Sequence, residues 1–84
     1  MSHAKIRAAE KALNYLKPKI HSKSILGIGT GSTVNCFIEL LRSCPTLVKG
    51  VVSSSDASTR LLKEIGVDIF SLNDVDEIDF YIDG

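Results

Sequence analysis

Gly27-Ile28-Gly29-Thr30-Gly31-Ser32-Thr33 lies between an apolar run and an amphipathic one. These residue types at this spacing can hold an anion. Glycine lets the backbone turn sharply and approach a ligand closely. The unbonded N–H groups that open a helix, at the positive end of its dipole, favour negative charge. Ser32 and Thr33 add hydroxyl donors at the same place. A phosphate would gain several hydrogen bonds here without a neighbouring lysine. A plain capped turn needs only one hydroxyl and one glycine, so the surplus of both favours a phosphate site. The turn does not fit a P-loop, because no Gly-Lys-Ser/Thr follows at the required spacing. Nor does it fit the dinucleotide fingerprint. Counted from Gly29, the third glycine position holds Val34, and the next strand runs into Ser53-Ser54-Ser55 instead of an acid that could grip a ribose. A small phosphorylated molecule suits the pattern better than a nucleotide.

Two further stretches carry polar chemistry. Ser53-Ser54-Ser55-Asp56-Ala57-Ser58-Thr59 follows an apolar run and supplies helix-capping side chains. By itself it reads as an N-cap with spare hydroxyls; beside the glycine turn it is equally a second wall of a site. Asp83 follows Phe80-Tyr81-Ile82 and precedes Gly84. A carboxylate there can bond sugar hydroxyls or move protons, whereas the bland alternative is an Asp-Gly turn. The acidic stretch 74–79 reads as a solvated loop. His3 and His21 receive no role. Cys36 and Cys44 have no second pair and no close histidine, which points to reduced thiols and to no metal site.

The elements that must position these residues alternate. Residues 2–16 form an amphipathic helix, capped by Ser2, with Ile6, Ala9, Leu13 and Leu16 on one face. Pro18 ends it. Residues 24–28 are a strand buried on both sides. A second helix carries Val34, Phe37, Ile38 and Leu41 at i, i+3, i+4 and i+7 and ends at Cys44-Pro45. Residues 48–52 are a second strand. A third helix presents Ala57, Leu61 and Ile65, with Gly66 as a left-handed cap. Residues 67–70 and 80–83 are a third and a fourth strand, separated by the acidic loop 72–79. Such alternation implies a parallel sheet with right-handed crossovers, whose strand ends converge on one crevice. The fold class is therefore α/β, a Rossmann-like parallel sheet with helices on both faces. Residues 1–84 read as the incomplete N-terminal part of a larger domain, because the last strand ends without the loop that should follow it.

Length and charge agree. Eighty-four residues make at most one small domain, and such a chain buries only about 60% of its unfolded surface. No apolar run reaches the roughly 18 residues needed to cross a bilayer, and the N-terminus lacks a signal-peptide layout, so a cytoplasmic setting without membrane contact is expected. Net charge is zero, but residues 1–50 hold eight Lys/Arg against two Glu, and residues 51–84 hold two against eight Asp/Glu. The basic residues are scattered and no aromatics are interleaved with them, which argues against a nucleic-acid partner.

With GIGTGST, VVSSSDAST and FYIDG in this order and spacing, the chain resembles the ribose-5-phosphate isomerase type A family. The lead helix with Lys5 and the SLNDVDEID segment match as well, so the resemblance covers essentially the whole chain. It implies an aldose–ketose isomerase of the non-oxidative pentose phosphate pathway, converting ribose 5-phosphate to ribulose 5-phosphate through an enediol, with no metal and no organic cofactor. It further implies that Thr30, Gly31, Ser32 and Thr33 form a substrate-binding loop. Asp83 and Gly84 then begin a second binding segment, with Asp83 against the sugar and assisting ring opening, and Lys5 lies near the phosphate. The full-length family member is expected to be a homodimer.

The family's Ala-Asp-Glu after Asp-Gly, its Lys-Gly-Gly-Gly segment and its proton-abstracting glutamate do not occur in these 84 residues. The chain on its own is therefore expected to be truncated and inactive. Two alternatives stay open. One is a non-catalytic sugar-phosphate sensor, which an appended helix-turn-helix would favour. The other is an interaction fragment that folds on a partner through an exposed sheet edge.

Overall fold

The computed structural model describes residues 3–83. The N-cap assigned to Ser2 and the binding role assigned to Gly84 lie outside the described residues. The elements in chain order are α1 (His3–Leu16), β1 (Ile25–Ile28), α2 (Ser32–Leu41), β2 (Gly50–Ser53), α3 (Asp56–Ile65) and β3 (Phe80–Ile82), with short 3-10 turns at Lys17–Lys19 and Leu72–Asp74. In α1 the expected face is inward: Ala9, Leu13 and Leu16 are buried and Ile6 packs at the margin. The helix ends where Pro18 tightens the chain into the first 3-10 turn.

The strands form one parallel sheet in the order β2-β1-β3. Register alternates cleanly. Leu26 and Ile28 stand level with Phe80 and Ile82 on one side and with Val51 and Ser53 on the other. Leu26, Ile28 and Val51 share a core with Val34, Phe37, Ile38 and Leu41 of α2 and with Leu62 and Ile65 of α3. Each such side chain, fully buried, contributes about 1.5–3 kcal/mol. This core is what holds the helices to the sheet.

The other sheet face carries Ile25, Gly27, Gly50, Val52 and Tyr81. Aromatic rings lie over its two glycines. A Cβ at Gly27 would collide with the ring of Tyr81, and one at Gly50 would collide with the ring of Phe70. Glycine is needed at both positions because an aromatic ring takes the place of a side chain.

Two sequence expectations are corrected. The segment 67–70 is not a full strand. It forms a single bridge between Ile69 and Val51, held by Val51 N–H to Asp68 O at 2.9 Å and Phe70 N–H to Val51 O at 2.8 Å. The reason is its edge position: both backbone hydrogen bonds that hold it run to one residue of β2, Val51, before the chain leaves for the second 3-10 turn. The inward face of α3 is also shifted. Ser58, Leu62 and Ile65 are buried, while Ala57 is exposed and Leu61 only half-buried. Apolar type alone suggested Ala57 and Leu61; the buried hydroxyl of Ser58 sets the face instead.

The bridge on the outer edge of β2 means that β1, β2 and segment 67–70 step in one direction. The chain then returns past β1 to lay down β3. Right-handed crossovers in one direction put α2 and α3 on one face, and these two helices do pack against each other. The reversal occurs between β1 and β3, and open α/β sheets bind ligands at such a switch point, beyond the carboxyl ends of the strands. Among the described residues no helix is long and apolar enough to cross a membrane.

Candidate functional site

The turn leaving β1 crosses the switch point. Gly31 is the N-cap of α2 with φ 123°, a left-handed value that disfavours any side chain, and among the described residues no side-chain hydrogen bond caps the helix. The first intrahelical bond runs from Asn35 N–H to Gly31 O at 3.0 Å, so the amides of Ser32, Thr33 and Val34 stand ahead of it. Thr30, Gly31 and Ser32 are exposed and Thr33 is half-buried. No acidic residue sits in the first turn of α2. The positive end of this helix therefore faces solvent with its donors uncapped.

The neighbouring helix is the contrast. Ser55 caps α3 by accepting from Ser58 N–H at 3.1 Å, and Asp56 occupies its first turn. Its dipole is already satisfied, so of the two helix starts at this edge the one at α2 is open to an anion.

Asp83 reaches the same place from β3. The Gly29 N–H donates to Ile82 O at 2.7 Å, which locks the end of β3 to the start of the turn. The Asp83 carboxylate fills the space a Gly29 side chain would need, with Oδ1 2.5 Å from the position of such a Cβ. The sequence-assigned residues Thr30, Gly31, Ser32, Thr33 and Asp83 are thus gathered at one edge. Lys5 is exposed in the first turn of α1 and makes no ion pair or hydrogen bond among the described residues.

The serine run splits into separate duties. Ser55 is the cap. Ser54 donates its amide to Ile28 O at 2.9 Å and its hydroxyl to the same oxygen at 3.2 Å. Its Oγ also lies 3.1 Å from the Tyr81 hydroxyl. Ser58, 1% exposed, donates its hydroxyl to Gly29 O at 2.7 Å. Thr59 donates back to Ser55 O at 2.8 Å. Ser54 and Ser58 brace the turn from behind, while the bonds of Ser55 and Thr59 stay within the start of α3. Ser54, Ser58 and Tyr81 were not singled out from sequence as supports; the only available signal was an excess of hydroxyls beyond what one cap requires.

The acidic stretch stays exposed, but Asp79 does more than face water. It accepts from Ile25 N–H through Oδ2 at 2.8 Å, and its own amide donates to Ile25 O at 2.9 Å. It thereby starts the β1–β3 pairing at the far end of the sheet. A cleft of about 390 Å³ lies at that far end, lined by His21, Lys23 and Lys49 facing Asp74, Asp76 and Asp79. Charges of both signs and its place at the amino ends of the strands separate it from the switch point. Cys36 is buried and Cys44 half-buried, with no disulfide between them. Among the described residues no cluster of His, Cys, Asp or Glu could hold a metal ion.

No family model matches the chain. Over 77 residues it is 51% identical to ribose-5-phosphate isomerase A of Histophilus somni (strain 2336) and to that of Pasteurella multocida (strain Pm70), covering 92% of this chain and 33% of each relative. Among solved structures, ribose 5-phosphate isomerase A from Neisseria gonorrhoeae superposes with a TM-score of 0.79 at 40% identity, over 92% of this chain and 33% of that one. A D-ribose-5-phosphate isomerase in complex with phospho-erythronic acid superposes equally well, at 33% identity over 92% of this chain and 34% of its own. The resemblance read from three motifs thus extends through the alignment and the fold. The chain spans about a third of the length of the curated relatives it matches.

Proposed function

We propose that this chain supplies the phosphate-gripping and sugar-contacting part of a ribose-5-phosphate isomerase, which interconverts ribose 5-phosphate and ribulose 5-phosphate. The observation that carries this reading is the uncapped start of α2 standing beside the Asp83 carboxylate at the switch point. The amides of Ser32, Thr33 and Val34, with the hydroxyls of Ser32 and Thr33, hold the phosphate. The helix dipole favours that charge without a cation in the turn. Asp83, braced on Gly29, meets the sugar, where a carboxylate can accept a hydroxyl proton and assist ring opening. Lys5 adds long-range attraction for the phosphate. A relative bound to phospho-erythronic acid supports a phosphorylated sugar-like ligand.

The test is thermal unfolding of the purified chain with ribose 5-phosphate against ribose. A ligand that binds only the folded state raises the midpoint by mass action. Ribose 5-phosphate should raise it and ribose should not. Equal midpoints with both sugars at millimolar concentration would remove the proposal.

A further inference from the structure

We infer that Ser58 is a positioning residue that turns the Thr30 amide toward the phosphate. This rests on the sugar-phosphate reading given above. A planar trans peptide points its C=O and the following N–H in opposite directions. The Gly29 carbonyl is drawn inward by the buried Ser58 hydroxyl at 2.7 Å. The Thr30 N–H on the same peptide must therefore point away from Ser58, on the side where Thr30 is exposed.

Nothing in the turn itself would hold that orientation. The peptide joins Gly29 to Thr30, and the glycine on its carbonyl side offers little resistance to rotation. The Gly29 amide is fixed by Ile82 O, but that bond constrains the preceding peptide. Among the described residues it is Ser58, from the first turn of α3, that fixes the one that follows. If this peptide flipped, a carbonyl oxygen would face the anion in place of an N–H. Ser58 thus makes the difference between four amides aimed at a phosphate, those of Thr30, Ser32, Thr33 and Val34, and three amides opposed by a carbonyl. Ser58 touches no ligand; it acts through the peptide it anchors.

The test is an amide NMR titration of the intact chain with ribose 5-phosphate, followed by the same titration on Ser58→Ala and Ser58→Thr, below their unfolding midpoints. Shifts are expected at Thr30, Ser32 and Thr33 together. Ser58→Ala should weaken binding about tenfold, the scale of one lost buried hydrogen bond, and should abolish the Thr30 shift. Ser58→Thr keeps the hydroxyl and should restore binding to within about threefold of the parent. A purely structural Ser58 would lower the midpoint of Ser58→Ala while leaving its affinity unchanged, and that result would overturn the inference. If neither variant folds, the unsubstituted chain still decides. Shifts at Ser32 and Thr33 with Thr30 unmoved would overturn the role of Ser58 while leaving the phosphate site standing. No shift at any of the three would overturn both.

Discussion

The carboxylate of Asp83 occupies the space that a side chain at Gly29 would fill. Residues 54 positions apart are brought into contact because β1 and β3 are parallel neighbours, with Ile28 level with Ile82. Asp83 cannot drop further into the turn, and Gly29 cannot carry a Cβ unless Asp83 retreats.

Gly29→Ala should therefore damage the site and the fold together. The neighbours it meets are the Asp83 carboxylate and the Ile82 carbonyl, and the latter belongs to the backbone of β3. A cost of about 1–3 kcal/mol is expected, as for overpacking elsewhere, read from urea unfolding. Affinity for ribose 5-phosphate should fall at least about tenfold, since one displaced charge-assisted contact is enough for that.

Ser55→Ala tests the division of labour in the serine run. Its hydroxyl caps α3, and losing such a cap costs about 1 kcal/mol. The unfolding midpoint should drop, while affinity for ribose 5-phosphate measured on the folded chain should change little. Loss of affinity as large as that of Ser58→Ala would mean that the cap also shapes the binding turn.

Tyr81 is 54% exposed, yet its ring covers Gly27 and its hydroxyl meets Ser54. Tyr81→Phe removes only the hydroxyl contact and should cost about 0.5–1 kcal/mol, the range for a partly solvated hydrogen bond. Pairing it with Ser54→Ala in a double-mutant cycle should give a coupling of the same sign, near 0.5 kcal/mol or more. Strict additivity would show that the two hydroxyls do not interact in solution.

Glu39 and Arg42 form an exposed pair at 3.1 Å on α2. The hydrogen bond from the Arg42 guanidinium holds the Glu39 carboxyl below its ordinary value, and Glu39 raises Arg42 in turn. A carboxyl lowered on folding adds stability above its unfolded pKa and loses it as pH falls through the folded one. Solvent screening keeps that contribution small. A carbon-detected NMR titration should place Glu39 below the usual glutamate range, and Arg42→Ala should return it upward. No movement would mean that the pair does not persist in solution.

Much of the candidate site was legible in the residues themselves. Gly27 to Thr33 carries more glycines and hydroxyls than a plain capped turn requires. Gly66 marks a left-handed helix end and takes φ 82°. The helix faces of α1 and α2 follow from spacing, because a side chain returns to the same side every 3.6 residues. The face of α3 did not follow. A buried serine looks polar in sequence, and only a carbonyl from another element, that of Gly29, makes its burial favourable. Segment 67–70 had strand-like composition, but pairing is decided by what lies alongside, and there a single bridge from Ile69 to Val51 forms.

The sequence by itself determined the alternation of strands and helices, the glycine-rich helix start and the acid that follows the last strand, because propensity, spacing and capping act over a few residues. The tertiary structure alone decided that Gly29 is held from two sides, by Ile82 and Ser58, with Asp83 resting upon it. Those contacts depend on strand order and on the return of the chain past β1, and partners 29 to 54 residues apart leave no local pattern from which to read them.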